Sequence, residues 1–267
     1  MIGTIKQTAD FIKEQVAFEP EVGIILGTGL GGLVNHIEIA HSLPYNEIPN
    51  FPVSTVEGHA GRLIFGTLGG KKVVAMQGRF HYYEGYAPEQ VVFPVRVMKM
   101  LGIKNLFVSN ASGGINSSFR VGDLMVITDH INLIPNVLIG TNCPELGPRF
   151  PDMSEPYSKA LGALATEVAA EKGIKLQYGC YVGTTGPTFE TPKEYGYFKF
   201  IGGDAAGMST TPEVIAARHM GLPVFGISII TNAAFSGQKS THEEVQQEGA
   251  KAEKRMTSLI MGMLEKM

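Results

Sequence analysis

Cysteine and unbalanced charge are both scarce in this sequence. The 267 residues include only two cysteines, Cys143 and Cys180, which excludes a disulfide framework or a cysteine-rich zinc site and predicts a reducing, cytoplasmic location. The sequence has 22 basic and 25 acidic residues, which gives a net charge of −3, and the basic residues form no stripe. The charge pattern therefore argues against a nucleic-acid partner, which a basic surface would attract.

Long hydrophobic runs are missing as well. No apolar stretch approaches the ~20 residues of a membrane-spanning helix. The opening segment, MIGTIKQTADFIKEQ, places polar residues where a secretory signal needs an apolar core. We therefore expect a globular cytoplasmic protein with no membrane partner.

Several well-known catalytic motifs are also absent. The sequence has no Gly-x-x-x-x-Gly-Lys loop, no Gly-x-Ser-x-Gly elbow and no His-Glu-x-x-His zinc helix. His242 is followed by Glu243 and Glu244, but the second histidine of a zinc helix is lacking. The sequence thus indicates neither a nucleophile–base pair nor a metal site.

Strand-like and helical segments alternate along the chain, which predicts an α/β fold. Two strand-like runs, 62–68 and 71–77, meet at Gly69 and Gly70 as a hairpin, so the sheet should be mixed. No Ser- or Pro-rich linker divides the chain, which favours one domain over residues 1–267. Further strands are expected at 21–26, 105–109, 122–128, 176–183 and 223–230. Helices are expected at 4–16, 88–101 and 154–172, the last with Ser154 as its N-cap, and three more should begin near residues 191, 211 and 241.

A glycine-rich loop follows the first predicted strand. Gly27, Gly29 and Gly32 have the spacing Gly-x-Gly-x-x-Gly, which is typical of backbone amides and a hydroxyl, here Thr28, turned toward a phosphate. A dinucleotide site would need a second strand ending in an acidic residue ~20 positions on, where this chain has Pro-Asn-Phe-Pro. Phosphate binding and a purely structural turn both remain open.

The segment 78–86 follows the second hairpin strand. In extended backbone Arg79, His81 and Tyr83 point the same way, and arginine offers a planar fork of donors that suits phosphate. The alternative is an exposed aromatic turn. The segment 109–114, at the end of another buried strand, has small residues that would let backbone approach a ligand or simply form a turn.

Four further residues have the chemistry to bind a planar ligand or a sugar phosphate. Phe189 can stack on a ring and Glu190 can accept N–H donors from its edge, although Glu190 also lies near a predicted helix start. Ser209 precedes another helix, where it can meet phosphate or sugar. Asn232 ends an apolar strand and is placed to recognise a ligand edge.

Together these loops resemble the trimeric purine nucleoside phosphorylases, in an ordered series that covers nearly the whole chain. The matching segments are 27–32, 58–62, 78–81, 110–111, 186–191, 207–210 and 242–245. The resemblance implies a single α/β domain with a mixed central sheet flanked by helices. It also implies a homotrimer that cleaves purine (deoxy)ribonucleosides with inorganic phosphate as co-substrate and with no cofactor.

The resemblance also implies a role for individual residues. Phosphate would be bound by Thr28 (often serine in the family), Arg79, His81, Ser209 and the backbone of Ala111; ribose by Tyr83, Met208 and His242; the base by Phe189, Glu190 and Asn232; and Phe150 would reach a neighbouring subunit's ribose pocket. Ala206 stands where the family commonly has valine. For His59, a structural hydrogen bond and a phosphate contact remain open.

Asn232, Glu190 and His81 are the expected catalytic residues. Asn232 would donate to purine O6 and accept from N7–H, and ionised Glu190 would accept from N1–H, which favours inosine and guanosine over adenosine. A methylthioadenosine phosphorylase would be expected to have aspartate at position 232. A nucleoside sensor or a phosphate-independent nucleosidase would not need the anion cluster of Arg79, His81 and Ser209.

Overall fold

The computed structural model describes residues 2–27, 30–53, 60–234 and 241–267, except for the side chains of His242 and Gln246. These residues form one mixed sheet with helices packed on both faces. The strands are β1 (Val22–Leu26), β2 (Glu38–Pro44), β3 (Arg62–Leu68), β4 (Lys71–Gln77), β5 (Asn105–Gly114), β6 (Leu124–Asn132), β7 (Leu176–Gly183), β8 (Ala205–Gly207) and β9 (Val224–Ala233). The helices are α1 (Ile2–Val16), α2 (Pro88–Val91), α3 (Phe93–Leu101), α4 (Lys159–Glu171), α5 (Pro192–Phe200), α6 (Thr211–His219) and α7 (His242–Lys266), with short 3₁₀ helices at Gly31–His36, Tyr45–Glu47 and Tyr82–Glu84.

The sheet has the strand order β2-β3-β4-β1-β5-β8-β7-β6-β9, and a further pairing of β5 with β9 closes its last five strands into a ring. β1 is parallel to β4 and β5, and β5 is parallel to β9, whereas β3 is antiparallel to β2 and β4. Gly69 and Gly70 join β3 to β4 with φ values of +55° and +76°, which glycine adopts without a steric penalty. The predicted hairpin and mixed sheet are confirmed.

Both faces of the sheet are covered because β1 and its neighbours are apolar at consecutive positions. Ile24 packs among residues of α4 and α7, and Ile25 packs on the other face among residues of α1, α3 and α6. Each is at most 1% exposed, and burying a side chain of this size stabilises the fold by about 1.5–3 kcal/mol. Ligands are then expected at the ends of the strands.

The predicted helix over 154–172 has a different beginning. α4 starts at Lys159, and its N-cap is Ser158, whose side chain accepts a hydrogen bond from a backbone N–H of the first turn. The predicted cap, Ser154, instead donates to Asp152 at 2.9 Å. The two serines are four residues apart, and local pattern alone did not distinguish which one faces the helix.

The predicted helix over 88–101 is interrupted. It divides at Val92 into α2 and α3, and Pro94 lies in the first turn of α3. Proline has no N–H to donate to the carbonyl four residues earlier, and its ring would clash with that carbonyl. A continuous helix through this segment was therefore a wrong prediction.

Strand boundaries also differ from the predictions. The small residues 109–114, predicted as a loop, continue β5 and pair with β9 and β8 inside the ring. The strand predicted at 122–128 runs instead from Leu124 to Asn132. β2 was not predicted because its first five residues are exposed, and β8 has only three residues.

Candidate active site

Arg79 lies at the centre of a buried polar cluster, two residues after β4. It is 1% exposed, and its Nη1 donates to the Ser109 carbonyl oxygen at 2.8 Å and to Ser209 Oγ at 3.1 Å. Its Nε donates to Glu213 Oε1 at 3.0 Å. Contacts from β5, α6 and the segment before α6 thus hold one planar guanidinium in place, which is the geometry suited to an oxyanion such as phosphate.

Glu213 provides the counter-charge for Arg79. Glu213 lies in the first turn of α6 and is 2% exposed, so the carboxylate and the guanidinium are buried together. Removing one partner of such a pair typically costs about 3–5 kcal/mol, because the other charge is left uncompensated. Glu213 was not predicted as a site residue, since nothing local in the sequence signals a partner 134 positions away.

His81 is held by Glu84. The same carboxylate oxygen, Oε1, lies 3.0 Å from His81 Nδ1 and accepts the His81 backbone N–H at 2.8 Å. Burial lowers the pKa of His81, and the hydrogen bond with Glu84 opposes that shift. Since a carboxylate accepts, the neutral ring carries its proton on Nδ1, and Nε2 is its acceptor nitrogen. Glu84 belongs to a predicted segment, but its role was missed.

Tyr83 adjoins His81, although not through the predicted extended backbone. It lies on the 3₁₀ helix Tyr82–Glu84, and its ring stacks on His81 with centroids 4.7 Å apart and planes inclined by 17°. Burial raises the pKa of Tyr83 to about 12, so its hydroxyl stays protonated. A Cβ at Gly186 would clash with Met208 Sδ and lie 3.2 Å from Tyr83 Cδ1. The two predicted ribose contacts therefore meet at one glycine.

A buried hydrogen-bond network lies beneath Ser209. Thr210 has φ +71° and ψ −52°, a strained backbone for a β-branched residue. Thr210 Oγ1 accepts from Asn110 Nδ2 at 2.8 Å and lies 3.1 Å from Ser209 Oγ, and Asn110 Oδ1 accepts from Ser228 Oγ at 2.7 Å. Asn110, Thr210 and Ser228 are at most 1% exposed. This network restrains the backbone that presents Ser209 to Arg79.

A small cavity of about 50 Å³ brings the predicted base-binding residues together. Phe189, Glu190, Met208 and Asn232 all line it, and so does Ala111 of β5. Glu190 and Asn232 are half-buried and therefore retain access to a ligand, whereas Phe189 is 41% exposed. The cavity shares the segment 207–209 with the arginine cluster, because Met208 lines it and the next residue bonds Arg79.

Hydroxyl groups support both polar side chains of this cavity. Thr184 Oγ1 donates to Glu190 Oε1 at 3.2 Å, and Thr231 Oγ1 donates to Asn232 Oδ1 at 3.3 Å. Tyr195 of α5 also lines the cavity and was not predicted as a site residue. No motif singled it out, since it lies inside the helix predicted from residue 191.

A larger cavity of about 470 Å³ lies elsewhere, between α1, α3 and the segment 137–146. The described residues that line it include Phe93, Arg96 and His219 but none of the predicted site residues. Size alone would favour this cavity. The concentration of buried polar contacts favours the smaller one together with the arginine cluster.

Some predicted site residues are not brought into this arrangement. Thr28 and His59 lie outside the described residues, and so does the side chain of His242, whose backbone begins α7. Phe150 is 86% exposed and is not among the described residues lining the small cavity. The Arg149 guanidinium lies 5.8 Å from the centroid of the Phe150 ring.

The elements that follow the glycine loop are not those of a dinucleotide site. From Leu30 the chain continues through the 3₁₀ helix Gly31–His36 into the antiparallel strand β2, whereas a dinucleotide site requires a full helix and a parallel strand. Gly27 N donates to Ser109 Oγ at 3.4 Å, and Gly32 N donates to Glu253 Oε1. A Cβ at Gly27 would lie 2.9 Å from the Asn110 Cα, so close backbone packing requires glycine there.

Comparison with known proteins identifies the family. Residues 21–265 match the model of the phosphorylase superfamily. Purine nucleoside phosphorylase 1 of Geobacillus stearothermophilus is 57% identical to this chain over 244 residues, which cover 90% of this chain and 89% of that protein. The chain belongs to the purine nucleoside phosphorylase family.

Solved structures of this family have the same fold. Schistosoma mansoni purine nucleoside phosphorylase in complex with inosine is 44% identical, with a TM-score of 0.95, over 100% of this chain and 97% of that one. The same enzyme in complex with adenosine is 45% identical, with a TM-score of 0.95, over 100% and 98%. The predicted single-domain α/β fold is confirmed, and so is the predicted activity: this chain is an enzyme of purine nucleoside phosphorolysis.

The described residues also bear on membrane spanning and on metal binding. None of the helices there is both long and apolar enough to span a membrane. Within the same residues, no group of three or more His, Cys, Asp or Glu side chains is arranged to hold a metal ion.

Proposed function

We propose that this enzyme cleaves 6-oxopurine ribonucleosides and deoxyribonucleosides, including inosine and guanosine, and that it serves purine salvage. Inorganic phosphate is the co-substrate, and the products are the free base and (deoxy)ribose 1-phosphate. The observation that carries the proposal is the location of Glu190 and Asn232 on one cavity that adjoins the Arg79–Ser209 cluster. The carboxylate and the amide suit a purine base, and the arginine cluster beside them suits the phosphate that attacks the sugar.

Phosphate binds at the arginine cluster in this proposal. Arg79, His81 and Ser209 contact it, together with the backbone of Ala111 and the hydroxyl of Thr28. The bound anion favours the imidazolium form of His81, and Glu84, on Nδ1, stabilises that form, so Nε2–H donates to a phosphate oxygen. The hydrogen bonds that already restrain Arg79 remove part of the entropic cost of binding.

The reaction exchanges one bond for another at C1′. A phosphate oxygen forms a bond to C1′ from the face opposite the base, and the electron pair of the C1′–N9 bond leaves with the purine. Negative charge then develops on the purine, where the Asn232 amide N–H donates to O6 and its oxygen accepts from N7 as N7 becomes protonated. Groups preorganised toward developing charge are typically worth about 10²–10³ in rate.

The same two residues select the base. Glu190 accepts from N1–H of a 6-oxopurine and from the 2-amino group of guanine. Adenine offers a lone pair at N1 and an amino group at C6, so both Glu190 and the Asn232 amide would lose their partners. A polar group that the bound base buries and leaves unpaired discriminates by up to about 10⁴–10⁵-fold. Phe189 stacks on the ring.

The ribose lies between these two regions in the proposal, against Tyr83, Met208 and His242. Phe150 completes the ribose pocket of a neighbouring subunit in a homotrimer. Its exposure of 86% supports this arrangement, because a large aromatic ring so exposed is expected at a contact between chains.

Other aspects of the proposal concern the whole chain. Residues 1–267 form one domain that needs no metal or cofactor beyond phosphate and functions in the cytoplasm without a nucleic-acid or membrane partner. Cys143 and Cys180 are both free thiols, which suits a reducing compartment.

The first experiment measures base release from inosine and from adenosine, each with and without millimolar phosphate. Hypoxanthine released from inosine only when phosphate is present is the expected result. Release without phosphate would identify a hydrolase and contradict the role of Arg79 and His81. Binding without any release would identify a nucleoside sensor. Turnover must be measured rather than binding, because the relative from Schistosoma mansoni binds adenosine as well as inosine.

The specificity is tested with Asn232→Asp. A carboxylate at position 232 would accept from the 6-amino group of adenine, so adenosine turnover should rise relative to inosine. Asn35→Asp, at an exposed position, adds the same charge away from the site and is the control. An unchanged adenosine-to-inosine ratio in Asn232→Asp would contradict the proposed recognition of the base.

A further inference from the structure

Tyr195 is a buried polar side chain in the base cavity for which the proposed reaction has no role. It lies on α5, the residue is 7% exposed, and it lines the cavity with Glu190 and Asn232. A Cβ built at Gly113 would lie 3.1 Å from both the Tyr195 hydroxyl and Asn232 Nδ2, so both groups reach the same side of β5. The Tyr195 phenol is therefore part of the proposed base-binding cavity.

The Tyr195 hydroxyl is hydrogen-bonded to both base-recognition residues, Glu190 and Asn232. Burial raises the pKa of Tyr195, and the charge of Glu190 and the hydrogen bond to it raise it further, so the phenol retains its proton. A phenol has one proton to donate, and an ionised carboxylate can only accept. That proton is therefore committed to Glu190.

The direction of this first hydrogen bond fixes the second. With its proton on the Glu190 side, the Tyr195 oxygen can only accept from Asn232, so the amide must present Nδ2 rather than Oδ1. Thr231 Oγ1 lies 3.3 Å from both Asn232 Oδ1 and the Ser112 carbonyl oxygen, and its single proton is shared between these two acceptors. The charge on Glu190 thereby determines, through one phenol, which way the Asn232 amide points.

This orientation matters for the base because an amide has one donor end and one acceptor end. With Nδ2 held toward Tyr195, its second N–H is directed to purine O6, and Oδ1 is directed to N7–H. A flipped amide would present its oxygen to position 6, which suits the amino group of adenine. The two orientations differ by a rotation about one side-chain bond, so a single additional hydrogen bond has a decisive effect.

We propose that Tyr195 is a positioning residue that determines specificity by locking the Asn232 amide in the orientation that recognises 6-oxopurines. The proposal rests on the base recognition described under the proposed function. Tyr195 contacts Glu190 and Asn232 and acts on the substrate through them.

The test compares Tyr195→Phe with Tyr197→Phe. Tyr195→Phe removes the hydroxyl and keeps the ring, and Tyr197, which is 54% exposed on the same helix, provides a matched control. We expect the inosine-to-adenosine ratio of kcat/KM to fall about tenfold in Tyr195→Phe, the effect of losing one hydrogen bond, and to remain unchanged in Tyr197→Phe. A merely structural tyrosine would lower both activities equally, and an unchanged ratio would overturn the proposal.

The same substitution in an Asn232→Asp background isolates the amide. Aspartate has no donor end to orient, so Tyr195→Phe should leave the ratio of Asn232→Asp unchanged, and the two effects should be non-additive. Equal effects in the two backgrounds would contradict the proposal. If Tyr195→Phe does not yield folded protein, Tyr195→Met, a flexible side chain of similar length, serves in both comparisons.

Failure of this proposal is distinguishable from failure of the proposed function. Wild-type enzyme that cleaves inosine and adenosine equally would refute the 6-oxopurine specificity itself. Wild-type enzyme that discriminates, together with Tyr195→Phe that discriminates equally well, would refute only the role of Tyr195.

Discussion

The proposed phosphate region, around Arg79 and Ser209, and the proposed base region, around Glu190 and Asn232, are built differently. Arg79 and Glu213 are at most 2% exposed, and Arg79 is held from β5, α6 and the segment before α6. In the base region Phe189 is 41% exposed, and Glu190 and Asn232 are half-buried and supported by three hydroxyl groups. The phosphate region is part of the protein core, whereas the base region lines a cavity that is open to solvent.

This difference separates stability from activity. A group that belongs to the core contributes to folding before any ligand binds, and its loss leaves partners that cannot be solvated. A group on a half-open cavity can be replaced by water when it is removed. Substitutions in the phosphate region should therefore change stability and activity together, and those in the base region should change activity alone.

The largest effect is expected for Arg79→Met. It leaves Glu213 buried without its counter-charge, so the free energy of unfolding should fall by about 3–5 kcal/mol, and phosphate-dependent cleavage should be lost. Urea unfolding followed by circular dichroism measures the first and base release the second. Arg120→Met, at an exposed arginine, is the control. A loss of stability below about 1 kcal/mol would show that the buried pair is not structural.

Asn232→Ala is the complementary test in the base region. Removing the amide that we propose stabilises the departing purine should lower kcat/KM for inosine by about 10²–10³-fold. The free energy of unfolding should change by less than about 1 kcal/mol, because water can reach this half-buried position. Steady-state kinetics and urea unfolding on one preparation give both values. A large loss of stability would remove the contrast between the regions.

Asn110→Ala tests whether the network under Ser209 is part of the core. It removes hydrogen bonds to Thr210 and Ser228 and should lower the free energy of unfolding by about 1–3 kcal/mol. With Thr210 less restrained, the KM for phosphate should rise, while the KM for inosine changes little. Asn35→Ala is the exposed control. Equal changes in the two KM values would assign the network a general structural role instead.

The smallest effect is a dependence of stability on pH. Burial lowers the pKa of His81, His130 and His219 in the folded protein. Below about pH 6.5 the unfolded chain binds more protons than the folded one, so the free energy of unfolding falls as pH decreases from 7 toward 5. Each histidine contributes at most about 1.4 kcal/mol per pH unit.

His81→Gln should reduce this slope, and the exposed His41→Gln should not. Urea unfolding at half-unit steps of pH provides the measurement. An equal slope in His81→Gln and in wild type would mean that the imidazole of His81 is protonated alike in the folded and unfolded chain.

The local sequence pattern predicted several helices and strands of the fold. β3, β4 and their glycine turn were predicted with the observed bounds, since a hairpin needs only residues that are adjacent in sequence. The exposed edge strand β2 was missed, because five of its residues lack any apolar alternation. The extension of β5 through 109–114 was missed because small residues have weak strand preference and are held there by β8 and β9.

The site shows the same division. The sequence by itself determined which groups could bind an anion and a purine, because Arg79, Glu190 and Asn232 have the required chemistry wherever they lie. Only the tertiary structure decided that Glu213 holds Arg79 and that Tyr195 joins Glu190 to Asn232. These contacts join residues far apart in the chain, and their strength comes from burial, which no segment can provide alone. Chemical identity is local to a residue, whereas its orientation and charge state depend on neighbours that folding supplies.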